Sequence, residues 1–526
     1  MTPRGHFALV LHAHLPFVRH PEYPHFLEEH WLFEAITDCY LPLVRVLREA
    51  VERGSRFRSS LSLSPTLLSM LADPLLQQRY LAYLERLVRL CEQEIARPRN
   101  DPPHRSLARF YQRRLLRTRD FYLDVLRGDL IAAWAELAQA GTLELMTTVA
   151  THGYLPLLRS EPAAVRAQLR VARDFFRDVF GCVPNGLWLP ECGYYPGLER
   201  EVAAAGFGFF ILDVHGLQGA VPPPPMGVYA AVSSEGVAVF GRDPDSAREV
   251  WSRETGYPGH PLYREYHRDL GFESDPGDLA VFLPPGVDAA PTGIKYYRVT
   301  GGPGPKALYD PGVALGQAER DAQRFVARRR RLLLRLPQDR LRPILVAPYD
   351  AELFGHWWFE GPAFLAAVIR HLDAASGLAA VTLSEHLESC GTVAEARPAA
   401  SSWGERGYNA AWLRPDTGWV YVQLHQAAAE MKDLVRRYNP GFGDDRTSRL
   451  LRQAARSLLL AQSSDWTFHM GGGGGAAYAE SRLREQLARF RFLTGALRGD
   501  ASVEGRLAAL ERMDNLFPRL DLAHFV

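Results

Sequence analysis

Short, almost continuous apolar runs alternate along this chain with long segments whose apolar positions recur at helical spacing. That is the pattern of β/α units whose strands are buried on both faces. The runs are Phe7–His14, Phe57–Ser64, Leu143–His152, Gly186–Glu191, Gly208–Val214, Val237–Asp243, Ile344–Asp350 and Leu378–Ser384. Seven or eight strands spaced in this way predict an α/β protein built on a TIM-like barrel. Most runs turn polar at their carboxyl ends, at His12 and His14, Ser62 and Ser64, His152, Glu191, Asp213, Arg242 and Asp350. Active sites of such barrels gather at that rim.

Interruptions of the alternation divide the chain further. Residues 75–141 repeat apolar positions at helical spacing and are too long for a loop, which predicts a helical subdomain inserted between the second and third strands. Residues 1–74 and 142–396 then form the catalytic barrel. Within it, residues 214–262 are rich in Gly, Pro and aromatics and show little period, as a lid would. Beyond residue 396 the strand signal fades, and Val420–Arg437, Thr447–Ala461, Tyr478–Arg498 and Ser502–Met513 read as amphipathic helices of a C-terminal domain, 397–526.

Composition narrows the function classes. Of the 526 residues, 47% are hydrophobic and 23% charged, an ordinary folded chain; 61 Lys and Arg against 60 Asp and Glu leave no net field to attract nucleic acid or an acidic membrane. The five cysteines are scattered with no C-x-x-C pair, unlike a disulfide framework or zinc knot. No run of ~18 uncharged apolar residues occurs, and MTPRGHFALVLHAHLPF carries no small-residue cleavage site. A cytoplasmic protein, monomeric or a small homo-oligomer, with a neutral partner is expected. Arg328–Arg331 reads as a solvated helix face, and neither TGGPGPK from Thr300 nor Gly471–Gly475 has the Lys-Ser/Thr of a phosphate loop.

His12 and His14, two apart on a strand, project from one face at the rim, and His152 in THGYLP adds a third imidazole. They can hydrogen-bond a ligand or, with Asp350, ligate zinc, so a metal-dependent carbohydrate deacetylase or mannosidase-like hydrolase stays open. Glu191 in LWLPECGYYP ends an apolar strand, where it serves either as a reacting carboxylate or as a helix cap or ion pair. Asp350 and Glu352 lie in APYDAELFGHWWFEG, followed by His356, Trp357 and Trp358. Acids, imidazole and indoles together suit a sugar, whose C–H faces pack on aromatics and whose hydroxyls need polar partners. A second carboxylate near Glu191 would complete the pair that glycoside chemistry requires. Trp251, Tyr257, Trp403, Trp412 and Asp465 with Trp466 are further candidates along a sugar chain.

HAHLP at 12–16, THGYLP at 151–156, WLPECGY at 188–194, APYDAELFGHWW at 347–358 and SSWGERGYNAAWL at 401–413 with SSDW behind it resemble the ordered motifs of glycoside hydrolase family 57. The likeness runs from the first strand to the last domain. With TGYPG at 255–259 and the helical tail, it is to the family's 1,4-α-glucan branching enzymes more than to its amylases or 4-α-glucanotransferases. The resemblance implies a distorted (β/α)7 barrel, no metal or other cofactor, an α-1,4-glucan as donor and acceptor, and a retaining mechanism with Glu191 as nucleophile and Asp350 as general acid/base. It places His12, His14, His152 and Arg242 around the sugar at the cleavage point and Trp31, Trp251, Trp403 and Trp412 along the glucan path. It also makes Glu352 an orienting residue, keeps Asp465 near the site and matches Tyr229 to a lid tyrosine. A non-catalytic glucan-binding protein derived from such an enzyme is the remaining alternative.

Overall fold

The computed structural model describes residues 4–97, 101–252, 255–301, 304–337, 341–390, 393–439, 445–472, 475–497 and 503–526. Gly302, Pro303, Gly473, Gly474, Arg498 and Ser502, on which parts of the phosphate-loop, glycine-run and helix-boundary readings fall, lie outside them.

The strands are β1 (Gly5–Ala13), β2 (Ser59–Leu63), β3 (Leu143–Thr147), β4 (Gly186–Leu187), β5 (Phe209–Leu212), β6 (Val232–Ser234), β7 (Val237–Gly241), β8 (Ile344–Asp350), β9 (Leu378–Ala380) and β10 (Ala394–Glu395). They join in one sheet of order β10-β6-β7-β5-β4-β3-β2-β1-β8, with β9 on β1. Every pairing is parallel except the β6–β7 hairpin. Between β7 and β8 a parallel bridge, Arg242 to Val346, with the Asp243 amide donating to the Val346 carbonyl at 2.8 Å, closes the ring. The result is a distorted barrel of seven parallel strands, β1 to β5 with β7 and β8, and that narrow seam is its distortion.

The seam also explains Pro348 inside β8. Val346 directs its carbonyl across the seam, and alternate residues of a parallel strand face the same neighbour, so Pro348 lacks its N–H on the side where no ladder continues. β1 is buried along all nine residues, as its unbroken apolar run predicts.

Several boundaries differ from the sequence reading. The run Leu143–His152 is strand only to Thr147, and Gly186–Glu191 only to Leu187, because both chains leave the sheet to make irregular turns at the rim. The last run forms β9 on the lower part of β1 and then the helix Leu383–Cys390, so it adds no eighth stave. The stretch 214–262, which shows no period, contains the helices Val214–Gln218 and Pro244–Trp251 and the β6–β7 hairpin, elements too short to leave a periodic signature.

Between β2 and β3 the helices Pro74–Ala96 and Pro102–Asp120 pack on each other, while Leu130–Gln139 lies against β3. The helices Gly418–Tyr438, Arg446–Ala461, Ser464–His469, Ala476–Ala496 and Glu504–Met513 follow the barrel. They are tied to its rim by a bridge from Gly153 to Ser463 and by the Ser464 amide donating to the His152 carbonyl at 3.0 Å. Among the described residues no helix is long and apolar enough to cross a membrane.

Candidate active site

The strand register sets the first row of the site. His12 of β1 pairs across to Ser62 of β2 and to Asp350 of β8, so all three stand at one level at the carboxyl ends. Just beyond the sheet, His152 and Glu191 both take left-handed backbone conformations, at φ 59°. For residues with a side chain that costs on the order of 1–3 kcal/mol and persists only where the surroundings hold it. At Glu191 the holding contacts come from Trp403, whose amide donates to the Glu191 carbonyl at 3.0 Å and whose indole Nε1 donates to Glu191 Oε2 at 2.6 Å.

Around this row runs a buried polar chain. His12 Nδ1 meets Ser62 Oγ at 3.1 Å and its Nε2 meets His152 Nε2 at 3.0 Å, while its ring lies flat on Trp188 at 4.6 Å. Burial first, and then the neighbouring imidazoles, hold His12 and His152 well below the usual histidine range, so both are neutral. Ser464 Oγ bridges His152 Nδ1 at 2.9 Å and Glu191 Oε1 at 3.3 Å. His14 Nε2 lies 3.0 Å from Asp465 Oδ2, and its own amide donates to Glu352 Oε1 at 3.2 Å. Burial opposes the charge of Asp465, but the charge and hydrogen bond of His14, with His152 and Ser463, more than offset it and hold that carboxyl well below its ordinary range.

Three carboxyls respond in the opposite sense. Burial pushes Glu191 up to about 7, against the Trp403 hydrogen bond and with Asp350 and Asp465 adding to the rise. Burial and then the charge of Glu352 push Asp350 up to about 7, against His14 and Arg242. Glu352 also rises to about 7 through burial, although Tyr40 donates its phenol to it. Arg242, the cation nearest to hand, spends Nη1 on Asp213 at 3.1 Å and sits over the Trp403 ring.

Glu191, Asp350, Arg242, Trp251, Trp403 and Trp412 line one open cavity of about 670 Å³. Trp251 is exposed and stands edge-on to Trp403, whereas Trp412 is buried and stacked on Tyr154 at 4.2 Å. Glu405, Arg414, Phe468, Gly471 and Gly472 complete the walls. Sequence reasoning passed over Phe468, Arg414 and Ser464, although Ser464 adjoins Asp465 in the SSDW motif that it singled out. For Tyr40, a helical tyrosine far from any motif, the sequence offered no signal.

Other expected residues lie elsewhere. Trp31 is stacked on His469 at 5.5 Å and edge-on to Tyr478, outside the cavity walls. Tyr229 is half-buried beside Asp243; burial first and then that carboxylate push its phenol up to about 12, and it does not line this cavity. His356 and Trp357 turn away from Glu191: His356 lines a separate cavity and Trp357 stacks on Tyr266. The cause is the short helix Ala351–Leu353, whose turn buries Glu352 under His14 and sends the next residues outward. His14, His152 and Asp465 offer ligand atoms within 4.8 Å of one another, a donor set that a divalent metal uses. Both ring nitrogens of His152, however, are already engaged by His12 and Ser464.

Residues 8–277 match the model of glycosyl hydrolase family 57. The chain is 31% identical to a 1,4-alpha-glucan branching enzyme of Thermococcus kodakarensis, over 98% of this chain and 77% of that relative. The chain belongs to glycosyl hydrolase family 57. Residues 423–525 match, in addition, the C-terminal domain model of 1,4-alpha-glucan branching enzymes. Among solved structures of this family, a GH57-type branching enzyme of Pyrococcus horikoshii superposes with a TM-score of 0.87 at 32% identity, covering 99% of this chain and 97% of that one. An alpha-amylase, AmyC of Thermotoga maritima, superposes with a TM-score of 0.91 at 36% identity, covering 99% of each. The family 57 barrel and the helical C-terminal region are therefore common to proteins named for transfer and for hydrolysis.

Proposed function

We propose that this family 57 chain is a 1,4-α-glucan branching enzyme that cleaves an α-1,4 linkage and passes the released chain to a 6-hydroxyl. The observation that carries the reading is the match of residues 423–525 to the branching-enzyme C-terminal domain, because that region supplies Ser464, which donates to Glu191, and Asp465, which pairs with His14. In this reading Glu191 attacks the anomeric carbon while Asp350 gives its proton to the departing oxygen. Asp350 then takes the proton of the acceptor hydroxyl as the glycosyl bond to Glu191 opens. Burial that raises both carboxyls to about 7 suits a proton passed from and back to Asp350 near neutral pH. His14 and Arg242, which keep Nδ1 and Nε without a hydrogen bond among the described residues, bind the sugar hydroxyls with His12 and His152 behind them, and Trp403 and Trp251 carry its apolar faces.

Transfer wins over hydrolysis only if water is kept from the glycosyl-enzyme. Trp251 and Phe468, exposed at the mouth, are placed for an acceptor chain to cover the opening. Hydrolysis is the second reading, favoured by the likeness to the Thermotoga maritima alpha-amylase. Incubating the chain with amylose and counting new α-1,6 linkages against new reducing ends tests both. Linkages well in excess of ends support branching; short reducing oligosaccharides without linkages support the amylase.

A further inference from the structure

His356 lines a second cavity of about 160 Å³, on the far side of the turn that follows Asp350, and Trp357 stacks on Tyr266 of its wall. At ~30 Å³ per water it holds about five waters, the scale of one hexose residue. Its walls include Glu34, Asp38, Arg264, Tyr266, Asp269, Lys295 and His356. Most of these are already paired: Asp38 with Arg114 at 2.8 Å, Asp269 with the amides of Thr292 and Gly293, Arg264 with the Gly293 carbonyl. The acids and cations offset one another, which disfavours an ionic ligand.

Two groups stay unspent. Glu34 is buried to more than nine-tenths, yet its carboxyl makes no hydrogen bond among the described residues, only a 3.6 Å approach to His356 Nδ1. The His356 ring likewise makes none. Beside these, Trp357 is 54% exposed, lies on Tyr266 at 4.8 Å and 22°, and leaves its outer face open; Phe272, 60% exposed, flanks the opening. Behind Tyr266, Lys295 Nζ stands 4.2 Å above its ring and holds it in place. A buried carboxyl and a partly exposed imidazole that meet at 3.6 Å and make no hydrogen bond among the described residues, next to a supported, exposed indole, suit a neutral polyhydroxylated ring.

We propose that this cavity is a second carbohydrate site, separate from the catalytic cavity, which takes one glucose residue of an α-glucan chain on Glu34 and His356 and stacks the adjoining residue on Trp357. The proposal rests on the α-glucan reading of the chain. A second grip on a polymer raises the local concentration of its other segments at the catalytic cavity.

Calorimetric titration of the full Glu191→Gln chain with maltotriose tests it. Two binding equivalents are expected; Trp357→Ala in that background should remove one, and Glu34→Gln should weaken the same one tenfold or more. Trp357 is exposed, so its truncation opens no core, and Glu34→Gln keeps the side chain's shape. One equivalent in the starting chain, or two retained in both variants, overturns the second site. The parent's action on amylose separates this from the wider reading. Activity with a single equivalent removes the second site alone, whereas neither activity nor binding removes both.

Discussion

Carboxyls, cations and aromatics line both cavities, yet they are wired differently. In the smaller one Asp38 and Asp269 are neutralised by Arg114 and by backbone amides, and Arg264 and Lys295 stand among them. In the larger one the cation Arg242 is tied to Asp213, so burial dominates and Glu191, Asp350 and Glu352 are each pushed up to about 7. A cavity in which Asp38 and Asp269 are paired, and Glu34 is raised by burial first and then by those two, is equipped to bind. One whose acids keep a mobile proton is equipped to react. Backbone strain follows the same division, since His152 and Glu191 hold left-handed conformations at the reactive cavity.

The contrast breaks first at its reactive end. Glu191→Gln and Asp350→Asn should each lower turnover on amylose by at least ~10³-fold, and the double variant should be scarcely worse than either, because the two carboxyls act as one unit. Initial rates of the three variants check this. Additive losses would mean that the carboxyls do not share a step.

Within the aromatic wall, burial separates support from contact. Trp412→Ala should cost about 3–5 kcal/mol of stability, because the indole is buried and stacked on Tyr154. Trp251→Ala, at an exposed ring, should stay within ~0.5 kcal/mol and shift products from α-1,6 linkages toward reducing ends instead. Denaturant melts and product analysis read the two effects separately.

The raised carboxyls also predict a pH signature. Glu191, Asp350 and Glu352 keep protons to about 7 in the folded chain, whereas in the unfolded chain they release them near ~4. Between those values the folded state binds more protons, so stability falls as pH rises from about 4 to 7 and levels off above. Glu352→Gln should therefore raise the melting temperature at pH 8 more than at pH 5. An equal shift at both would show that the carboxyl is not held protonated by the fold.

The smallest expected effect is none at all. Prolonged chelation should leave activity intact, since His12 and Ser464 occupy both ring nitrogens of His152, and His14 and Ser463 engage Asp465. Loss with EDTA and recovery with zinc would make that trio a metal centre and revive the metal-dependent hydrolase reading.

The sequence by itself determined the staves of the barrel and the chemistry of its rim. Strands buried on both faces need unbroken apolar runs, and polar residues at their carboxyl ends are costly there, so local pattern marked His12, Glu191 and Asp350 as candidates while the family resemblance alone implied their roles. The motifs SSWGERGYNAAWL and SSDW likewise marked Trp403, which lines the cavity, and Asp465, which pairs with His14, both more than 200 residues beyond Glu191 by chain order. What only the tertiary structure decided is which residues face one another. His356 and Trp357 share a motif with Asp350, but His356 lines another cavity and Trp357 stacks on Tyr266, because a single turn at Ala351–Leu353 reverses their direction. Tyr229, matched by position to a lid, packs beside Asp243. Tyr40 and Ser464 complete the site through contacts 312 and 273 residues apart in the chain, pairings made by the closed barrel and its docked helices, which no local periodicity encodes.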